Sequence, residues 1–475
     1  MNRINVRKIL FFQLLITATA ITACHKNEFA PAPDATQSAT TTSLVPLTAA
    51  SLLADSPIVA STTYQVFINN NPIGVNKERC FDYDANGGQR TVHTALYNYL
   101  PGAQVKIICD SAFAAYTISP QRLGIAATHT GNELLFTLPT AYYNFAIIIP
   151  GKEPLFLFSA PNLFSYKPGA VVFDSGVHTT ANGEFRLQSN TTYYLEEGAV
   201  LNGKVIIENA SNVKIIGRGY IDDRRSPVTG NFLKIYNSDS IEIKGIGIRH
   251  AALGWQTDIV NSKHITMAFS NLLSFGQNND GLDVGTGCQD VRFSHCFVGS
   301  GDDGFGWHAT NAAAYGEAPL QGCNANDCMI WQSAGCGIRI GSSLETTEVK
   351  NLKFKNIDIA KTSKGIYAVA IPNSDWADVH DLIFEEIHDE EPTNNKFVLG
   401  YIQQNANSNP VYRPGYISDV QFLNCSSYAT QAVFEGYDST HRISNVTFTN
   451  VKVAGRNMLQ SDVTANQFTD NIIVY

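Results

Sequence analysis

The sequence predicts an all-β protein in which an N-terminal β-sandwich precedes a right-handed parallel β-helix. Two observations support this fold class. Short apolar strands separated by Gly, Pro and Asn turns occupy the first part of the folded chain. After them, a polar turn followed by a short alternating strand recurs at intervals of roughly 25 to 40 residues, which is typical of a solenoid. Helical periodicity is absent between these strands.

The composition supports a large folded core. The chain has 475 residues, of which 44% are hydrophobic and 16% are charged, enough for more than one domain. A formal net charge of -9 leaves no basic footprint, so bulk electrostatics favour neither nucleic acid nor a polyanionic substrate.

Residues 1–23 have the pattern of an export signal. Basic residues precede the apolar run "ILFFQLLI" and the small-residue ending "ITAC", and the run is too short for a stable membrane span. "ITAC" resembles a bacterial lipobox, which implies cleavage before Cys24 and lipidation of its thiol; an ordinary signal with a chance cysteine is the alternative. We expect an exported lipoprotein anchored to the outer membrane, on its periplasmic or cell-surface face. Residues 24–56, rich in Pro, Ala, Ser and Thr, fit a flexible tether.

Residues 57–165 are predicted to form the β-sandwich. Its strands are expected at "TYQVFI", "QVKIIC", "ELLFTL", "FAIII" and "LFLFSAP". Nothing in this region has the pattern of a catalytic site.

Residues 166–475 are predicted to form the β-helix. Segments such as "NASNVKIIG", "NSDSIEIKG", "GCQDVRFSH" and "ISNVTFTNV" repeat the turn-and-strand pattern. We expect inward residues to stack in rows, with Asn or Ser in the turns. A β-propeller is the alternative, but the shorter intervals leave little room for four strands per blade.

Eight cysteines follow Cys24, and an exported protein can form disulfides. Cys323 with Cys328, and Cys80 with Cys109, are possible pairs, and the rest are expected to be buried free thiols. No CxxC pair or His cluster is visible in the sequence, so no metal or cofactor is predicted.

Four carboxylates, Asp280, Asp283, Asp302 and Asp303, lie in the stretch "NNDGLDVGTGCQDVRFSHCFVGSGDDGFGWHA". Equivalent positions in successive coils lie about 4.8 Å apart, so Asp280 and the Asp302/Asp303 pair, about one coil apart, are expected on one face. Like charges this close raise the pKa of at least one group, and a protonated carboxyl beside an ionised one suits glycoside hydrolysis. Calcium binding or capping of backbone amides is the alternative, and Asp283 fits that structural role.

Strand alternation predicts which side chains face outward. In "DDGFGWH", Phe305 and Trp307 share one face, while Asp302 and His308 share the other. If the aromatic residues point inward, Asp302 points to solvent.

The sequence resembles the polygalacturonase family, glycoside hydrolase family 28. "NNDGLDV" followed by "GSGDDG" is similar to that family's "NTDG(I/F)D(V/I)...(G/Q)DDC" signature, and "SAGCGIRIGS" resembles its "GHG(I/L)SIGS" segment. The similarity covers about Thr192 to Val453. It implies a pectin-lyase-like β-helix and inverting hydrolysis of O-glycosidic bonds in a polysaccharide. Asp302 would be the general acid, and Asp280 and Asp303 would activate water.

Two departures from the family pattern bear on the substrate. The "GHG" histidine falls on Cys336, and the "GxRIK" cations fall on Tyr367 and Val369, so the charge-assisted contacts to a uronate carboxylate are missing. The dextranase and isopullulanase family, family 49, is similar in joining a β-sandwich to a β-helix, in its three aspartates and in lacking those cations. The resemblance therefore favours a neutral, dextran-like glycan over pectin.

Five residues are candidates for substrate binding. Trp307 is a possible aromatic platform for a sugar, with an internal stack as the alternative. His308 shares the face of Asp302, and a turn histidine is its alternative. Arg339 is expected to point outward, with a surface ion pair as the alternative. Lys364 and Tyr367 lie where the family's cations would be, and Lys364 has a solvated turn as its alternative.

Two other functions remain open at this stage. The missing His and cations suggest a non-catalytic glycan-binding lipoprotein. A polysaccharide lyase is the other, because many lyases are parallel β-helices with acidic calcium sites, although the sequence offers no clear Arg or Lys base.

Overall fold

The computed structural model describes residues 58–81, 89–161, 168–276, 278–332, 334–362, 367–392 and 396–475. These ranges are nearly all β, with one α-helical turn, Ala312–Tyr315, and two 3-10 turns, Gln121–Leu123 and Gln460–Asp462. No helix within them is long and apolar enough to cross a membrane. The predicted signal, Cys24, the tether and Lys364 lie outside the described residues.

Two sheets occupy residues 58–160. The first contains, in spatial order, Ile58–Ala60, Asn76–Phe81, Gln89–Asn98, Leu155–Ala160, Phe145–Ile148 and Thr117–Ser119; the second contains Asn71–Ile73, Tyr64–Ile68, Gln104–Cys109, Glu133–Thr137 and Ala127–Thr130. Neighbouring strands are antiparallel except Gln89–Asn98 with Leu155–Ala160. Alternate residues face inward, so Val66 and Val105 of the second sheet meet Leu157 of the first in one apolar cluster.

From Val171 onward the chain forms a parallel β-helix, as predicted, and not a propeller. Strands of successive coils pair in parallel, and the short pair Lys452–Val453 and Arg456–Asn457 is antiparallel. One face is an eleven-stranded sheet, named here the site sheet: Glu184–Arg186, Lys204–Glu208, Leu233–Tyr236, Thr257–Val260, Leu282–Gly285, Phe305–Ala309, Cys336–Leu344, Tyr367–Asn373, Lys396–Ile402, Ala432–Glu435 and Val463–Ala465.

The remaining faces of the β-helix form one connected network of strands. Long strands that bend from one face to the next join them. The members are Val171–Phe173, Gly176–His178, Thr192–Leu195, Ala199–Leu201, Ser211–Gly217, Tyr220–Asp222, Asp239–Lys244, Gly247–Arg249, Lys263–Ala268, Asn271–Leu273, Gln289–Ser294, Phe297–Ser300, Leu320–Gln321, Asn324–Gln332, Glu348–Thr362, Asp378–Asp389, Tyr416–Leu423, Ser426–Ser427, Ile443–Thr449, Lys452–Val453, Arg456–Asn457 and Thr469–Val474.

The core of the β-helix consists of rows of stacked side chains. Phe354, Phe384, Phe422 and Phe448 occupy equivalent positions in four successive coils and are fully buried. Their rings are nearly parallel, with centroids 5.2, 4.8 and 4.8 Å apart. This is the spacing of neighbouring strands, so each ring contacts the next along the axis.

Asparagine and serine form the turns between strands, as the sequence predicts. Asn237 and Asn261 have positive φ angles of 49° and 46°, a conformation that Asn tolerates better than most residues. Asn261 donates a 2.8 Å hydrogen bond to the Asn237 side chain, and the Ser238 amide donates to Ser262 Oγ at 3.0 Å. The turn residues therefore bond coil to coil.

The possible disulfides are wrong. All eight cysteines in the described residues are buried free thiols. The Cys328 sulfur faces the Cys296 amide, 3.4 Å away in the adjacent coil, and not Cys323. Cys80 and Cys109 belong to different apolar clusters. The inward rows of the fold, rather than short sequence separation, determine what each thiol meets.

Candidate active site

Strand register brings the aspartates of two coils together at one edge of the site sheet. Asp283 pairs with Gly306 of the next coil, so Asp280 and Asp303, each three residues earlier, occupy equivalent positions. Asp302 precedes Asp303 on the same turn. Three of the four aspartates, Asp280, Asp302 and Asp303, line one cleft of about 450 Å³, and Asp283 does not. The stacking of carboxylates predicted from the sequence is therefore present.

The complete lining extends the cleft over several coils. It comprises Trp255, Asn278, Asp280, Asp302, Asp303, His308, Thr310, Arg339, Ser342, Ser343, Glu345 and Asn407.

Asp303 is held by two donors from the following coil. Its Oδ1 accepts a 2.6 Å hydrogen bond from the Cys336 amide, and its Oδ2 accepts one of 3.1 Å from Arg339 Nη1. Burial lowers the pKa of Arg339, but the charge and hydrogen bond of Asp303, together with Cys336 and Asp280, outweigh burial and raise the pKa above its ordinary value. Asp303 is therefore held by one backbone amide and one guanidinium group. Arg339 thus points outward from the strand into the cleft, where its guanidinium forms an ion pair with Asp303.

The pKa values of Asp302 and Asp280 are both raised. Burial, followed by the charges of Asp280 and Asp303, raises the pKa of Asp302 to about 7. Burial and then the Asp303 charge raise the pKa of Asp280 well above its ordinary range. Asp302 is partly exposed, whereas Asp280 is 3% exposed. The cleft therefore presents an accessible carboxyl that keeps its proton near neutral pH beside a carboxylate paired with an arginine.

His308 lies in the cleft on the side of Asp280. Its Nε2 is 3.4 Å from Asp280 Oδ2, and its ring stacks on Trp255 with centroids 5.3 Å apart. Burial lowers the pKa of His308 to about 4, so the imidazole is neutral at neutral pH.

Trp307 is not a substrate-binding residue. It is fully buried in the core, where its ring contacts Phe305 and Phe354 at centroid distances of 5.7 and 4.8 Å. The alternation that turns His308 outward turns Trp307 inward. The tryptophan of the cleft is Trp255.

Strand register is the signal that identifies Trp255. Ile259 pairs with Val284, and Trp255 stands four residues before Ile259, as Asp280 does before Val284. The same coil-to-coil comparison that aligns the aspartates therefore aligns Trp255 with them.

Tyr367 lies one coil beyond Cys336 and does not line the cleft. It pairs directly with Cys336, and the ammonium of Lys396 lies 5.4 Å from the centre of its ring. Val369, at the other position of the missing cations, is fully buried.

The far wall of the cleft was missed by sequence reasoning. Glu345 Oε2 accepts 3.0 Å hydrogen bonds from the Ala312 amide and from Asn409 Nδ2, and Ser343 Oγ donates to the Asn407 carbonyl at 2.8 Å. These contacts join residues 309–322 to a loop three coils later. No local pattern indicates such contacts, because their partners are distant in sequence.

Several carboxyl groups in one cleft suit the acid/base chemistry of glycoside hydrolysis, and the family comparison assigns the chain to that class of enzyme. The family model described as "Glycosyl hydrolases family 28" matches residues 177–470, most of the β-helix. The chain belongs to this family, which confirms the resemblance seen in the sequence motifs.

Solved structures share the fold. Dex49A from Penicillium minioluteum has a TM-score of 0.56 and 11% identity, and the match covers 88% of this chain and 96% of Dex49A. The family 28 exopolygalacturonase of Yersinia enterocolitica has a TM-score of 0.51 and 11% identity, covering 78% and 96% of the two chains. At such identities the likeness concerns the fold alone. No curated protein matches the chain.

Proposed function

We propose that the protein is an inverting glycoside hydrolase that cleaves a neutral polysaccharide. The observation that carries this proposal is the grouping of Asp280, Asp302 and Asp303 in one cleft, with Asp303 bonded to Arg339. The inverting outcome follows the family resemblance.

Asp302 is the proposed general acid. A pKa raised to about 7 keeps it protonated in neutral and acidic solution, and its partial exposure lets it reach the oxygen of the scissile bond. A general acid works best when its pKa lies near the working pH. Donation of its proton releases the leaving sugar as an alcohol.

Asp303 and Asp280 are proposed to activate the attacking water. Asp303 accepts hydrogen bonds from the Cys336 amide and Arg339, which hold its carboxyl group in position to accept a proton from water. Asp280, at the equivalent position one coil earlier, supplies a second oxygen that orients the same water. Water attack from the face opposite the leaving oxygen inverts the anomeric carbon.

The charge of the cleft supports a neutral substrate. The described lining residues of the cleft carry four carboxyl groups, those of the three aspartates and of Glu345. The only Lys or Arg among them is Arg339, which is bonded to Asp303. A uronate would therefore meet carboxylates without a free cation, whereas the hydroxyls of a neutral glycan can bond to them. This supports a dextran-like glycan over pectin.

The test is a product assay by mass spectrometry on dextran, pullulan, other neutral glycans and polygalacturonate, using protein lacking residues 1–24. The Asp302→Asn variant is assayed in parallel. We expect cleavage of a neutral glycan that the variant loses, and NMR of fresh product with the anomeric configuration opposite to that of the substrate. Cleavage of polygalacturonate alone would overturn the substrate assignment. Tight binding without any product would favour a glycan-binding role.

We further propose that the mature chain is held at the outer membrane by a lipid on Cys24. The basic start, the apolar run and the "ITAC" ending of residues 1–24 support this. Incorporation of labelled palmitate in native protein, lost in Cys24→Ser, would test it. Equal label in both would contradict it.

A further inference from the structure

Three side chains beneath the cleft converge on one small space. The carboxyl oxygens of Asp280 and Asp283 and the imidazole nitrogen of His308 all lie within 4.8 Å of one another. His308 Nε2 is 3.4 Å from Asp280 Oδ2 and 3.5 Å from Asp283 Oδ1. These distances exceed those of ordinary N–H···O hydrogen bonds, so the three groups surround the space without closing it.

A glycine keeps this space open. Gly306 pairs with Asp283 across the site sheet, and a Cβ atom added to it would lie 2.2 Å from Asp283 Oδ1 and 2.7 Å from His308 Nε2. Any other residue at position 306 would fill the space between the two side chains.

The polar atoms around the space are buried and lack partners among the described residues. Asp280, Asp283 and His308 are 3%, 1% and 9% exposed. Asp280 Oδ1, both oxygens of Asp283 and His308 Nε2 accept or donate no hydrogen bond there. Buried polar atoms are normally paired, and an unpaired carboxylate is costly, so this arrangement calls for a bound cation or for protons.

The ligand set selects one class of cation. Two carboxylates and an imidazole suit zinc-class divalent ions, whereas calcium takes six to eight oxygens. Metal–ligand distances of about 2.0–2.2 Å around a tetrahedral ion put ligand atoms about 3.3–3.6 Å apart, which matches the two measured separations. His308 is also held in orientation by its stack on Trp255.

We propose that Asp280, Asp283 and His308 bind one zinc-class divalent cation whose fourth position faces the cleft. Asp280 and His308 line that cleft, so the fourth ligand is a water or a sugar hydroxyl. Sequence spacing gives no sign of the site, because its ligands come from two coils. We also expect zinc to slow the hydrolase, because a cation bound to Asp280 withdraws that carboxylate from water activation. This expectation rests on the proposed function.

The first test measures zinc binding directly, by equilibrium dialysis of the purified protein against Zn²⁺ with metal analysis. We expect one ion per chain, and at least a tenfold weaker affinity in Asp283→Asn and in Gly306→Ala. Asp389→Asn is the matched control, because Asp389 is 3% exposed, lies on a strand several coils away and its Oδ2 already accepts a hydrogen bond from Ser427 at 2.6 Å; it should retain the affinity. Absence of a one-to-one ion, or equal affinity in all four proteins, would overturn the site.

A second measurement is independent of whether the variants fold well. Co²⁺ added to the native protein should give the intense visible absorption of a tetrahedral site, and Zn²⁺ should displace it. The weak absorption of octahedral Co²⁺, or none, would overturn the geometry. Both readouts are independent of hydrolysis, so failure of the proposed function and failure of the metal site are distinguishable.

Discussion

Replacement of Asp302 by Asn is expected to separate the stability of the protein from its activity. The folded pKa of Asp302 is raised from 3.8 to about 7, first by burial and then by Asp280 and Asp303. Between these two pH values the folded state binds a proton that the unfolded chain has released. Ionisation of Asp302 therefore lowers stability as pH rises through this window, with the full loss above pH 7. Asparagine has no charge to bury at any pH.

The magnitude follows from the same interval. At about 1.36 kcal/mol for each pH unit, the destabilisation of the native protein by Asp302 is at most about 4 kcal/mol at pH 8 and about 1 kcal/mol at pH 4.5. The gain in the free energy of unfolding on Asp302→Asn should thus grow by up to about 3 kcal/mol between these two conditions.

Urea unfolding of the native protein and the variant at both pH values measures this gain. Asp419→Asn is the control, because Asp419 is exposed and accepts hydrogen bonds from the uncharged side chains of Ser418 and Asn445, so its replacement should leave the pH dependence unchanged. A gain for Asp302→Asn that is the same at pH 4.5 and pH 8 would refute the argument that burial and neighbouring charges raise this pKa. The variant should be inactive throughout.

Three further outcomes are expected. The rate of hydrolysis should fall as pH rises through about 7, because the acid Asp302 loses its proton; a rate that stays constant to pH 9 would exclude it as the acid. Arg339→Met, which removes the charged partner of Asp303, should lower kcat by about 100-fold or more while Arg186→Met, at a 56% exposed side chain, leaves it unchanged; comparable kcat values in both variants would count against the Asp303 role. Phe384→Ala should reduce the free energy of unfolding by about 3–5 kcal/mol, since Phe384 is fully buried between two stacked rings. Val411→Ala, at a 78% exposed side chain, should cost less than about 0.5 kcal/mol; similar losses in both would contradict the packing argument.

Local and periodic features of the fold were predictable from the sequence. A turn residue followed by alternating apolar positions specifies a strand and the face that it buries, because side chains alternate across a strand. Repetition of that unit specifies a solenoid, since each coil can bury its apolar face only against the next. The inward row of Phe354, Phe384, Phe422 and Phe448 and the turn asparagines are consequences of this repetition.

The same regularity accounts for the part of the site that was predicted. Asp280 and Asp303 could be aligned because the coil length places them at equivalent positions. The prediction for Trp307 was wrong although its inward orientation follows from the same alternation; a comparison of coils would have selected Trp255. The cysteine pairs were wrong because distance along the chain says little about which inward row a thiol joins.

By itself, then, the sequence determined the strands, the solenoid, the family and the three aspartates, because these depend on residues that are near in the chain or repeat at the coil period. Only the tertiary structure decided that Arg339 bonds to Asp303, that Glu345 joins two loops, and that Asp283 and His308 share a space beneath Asp280. Such contacts depend on exact strand register and on loops distant in sequence, which local pattern does not encode. The protonation states of the site follow from those contacts, since burial and neighbouring charge exist only in the folded chain.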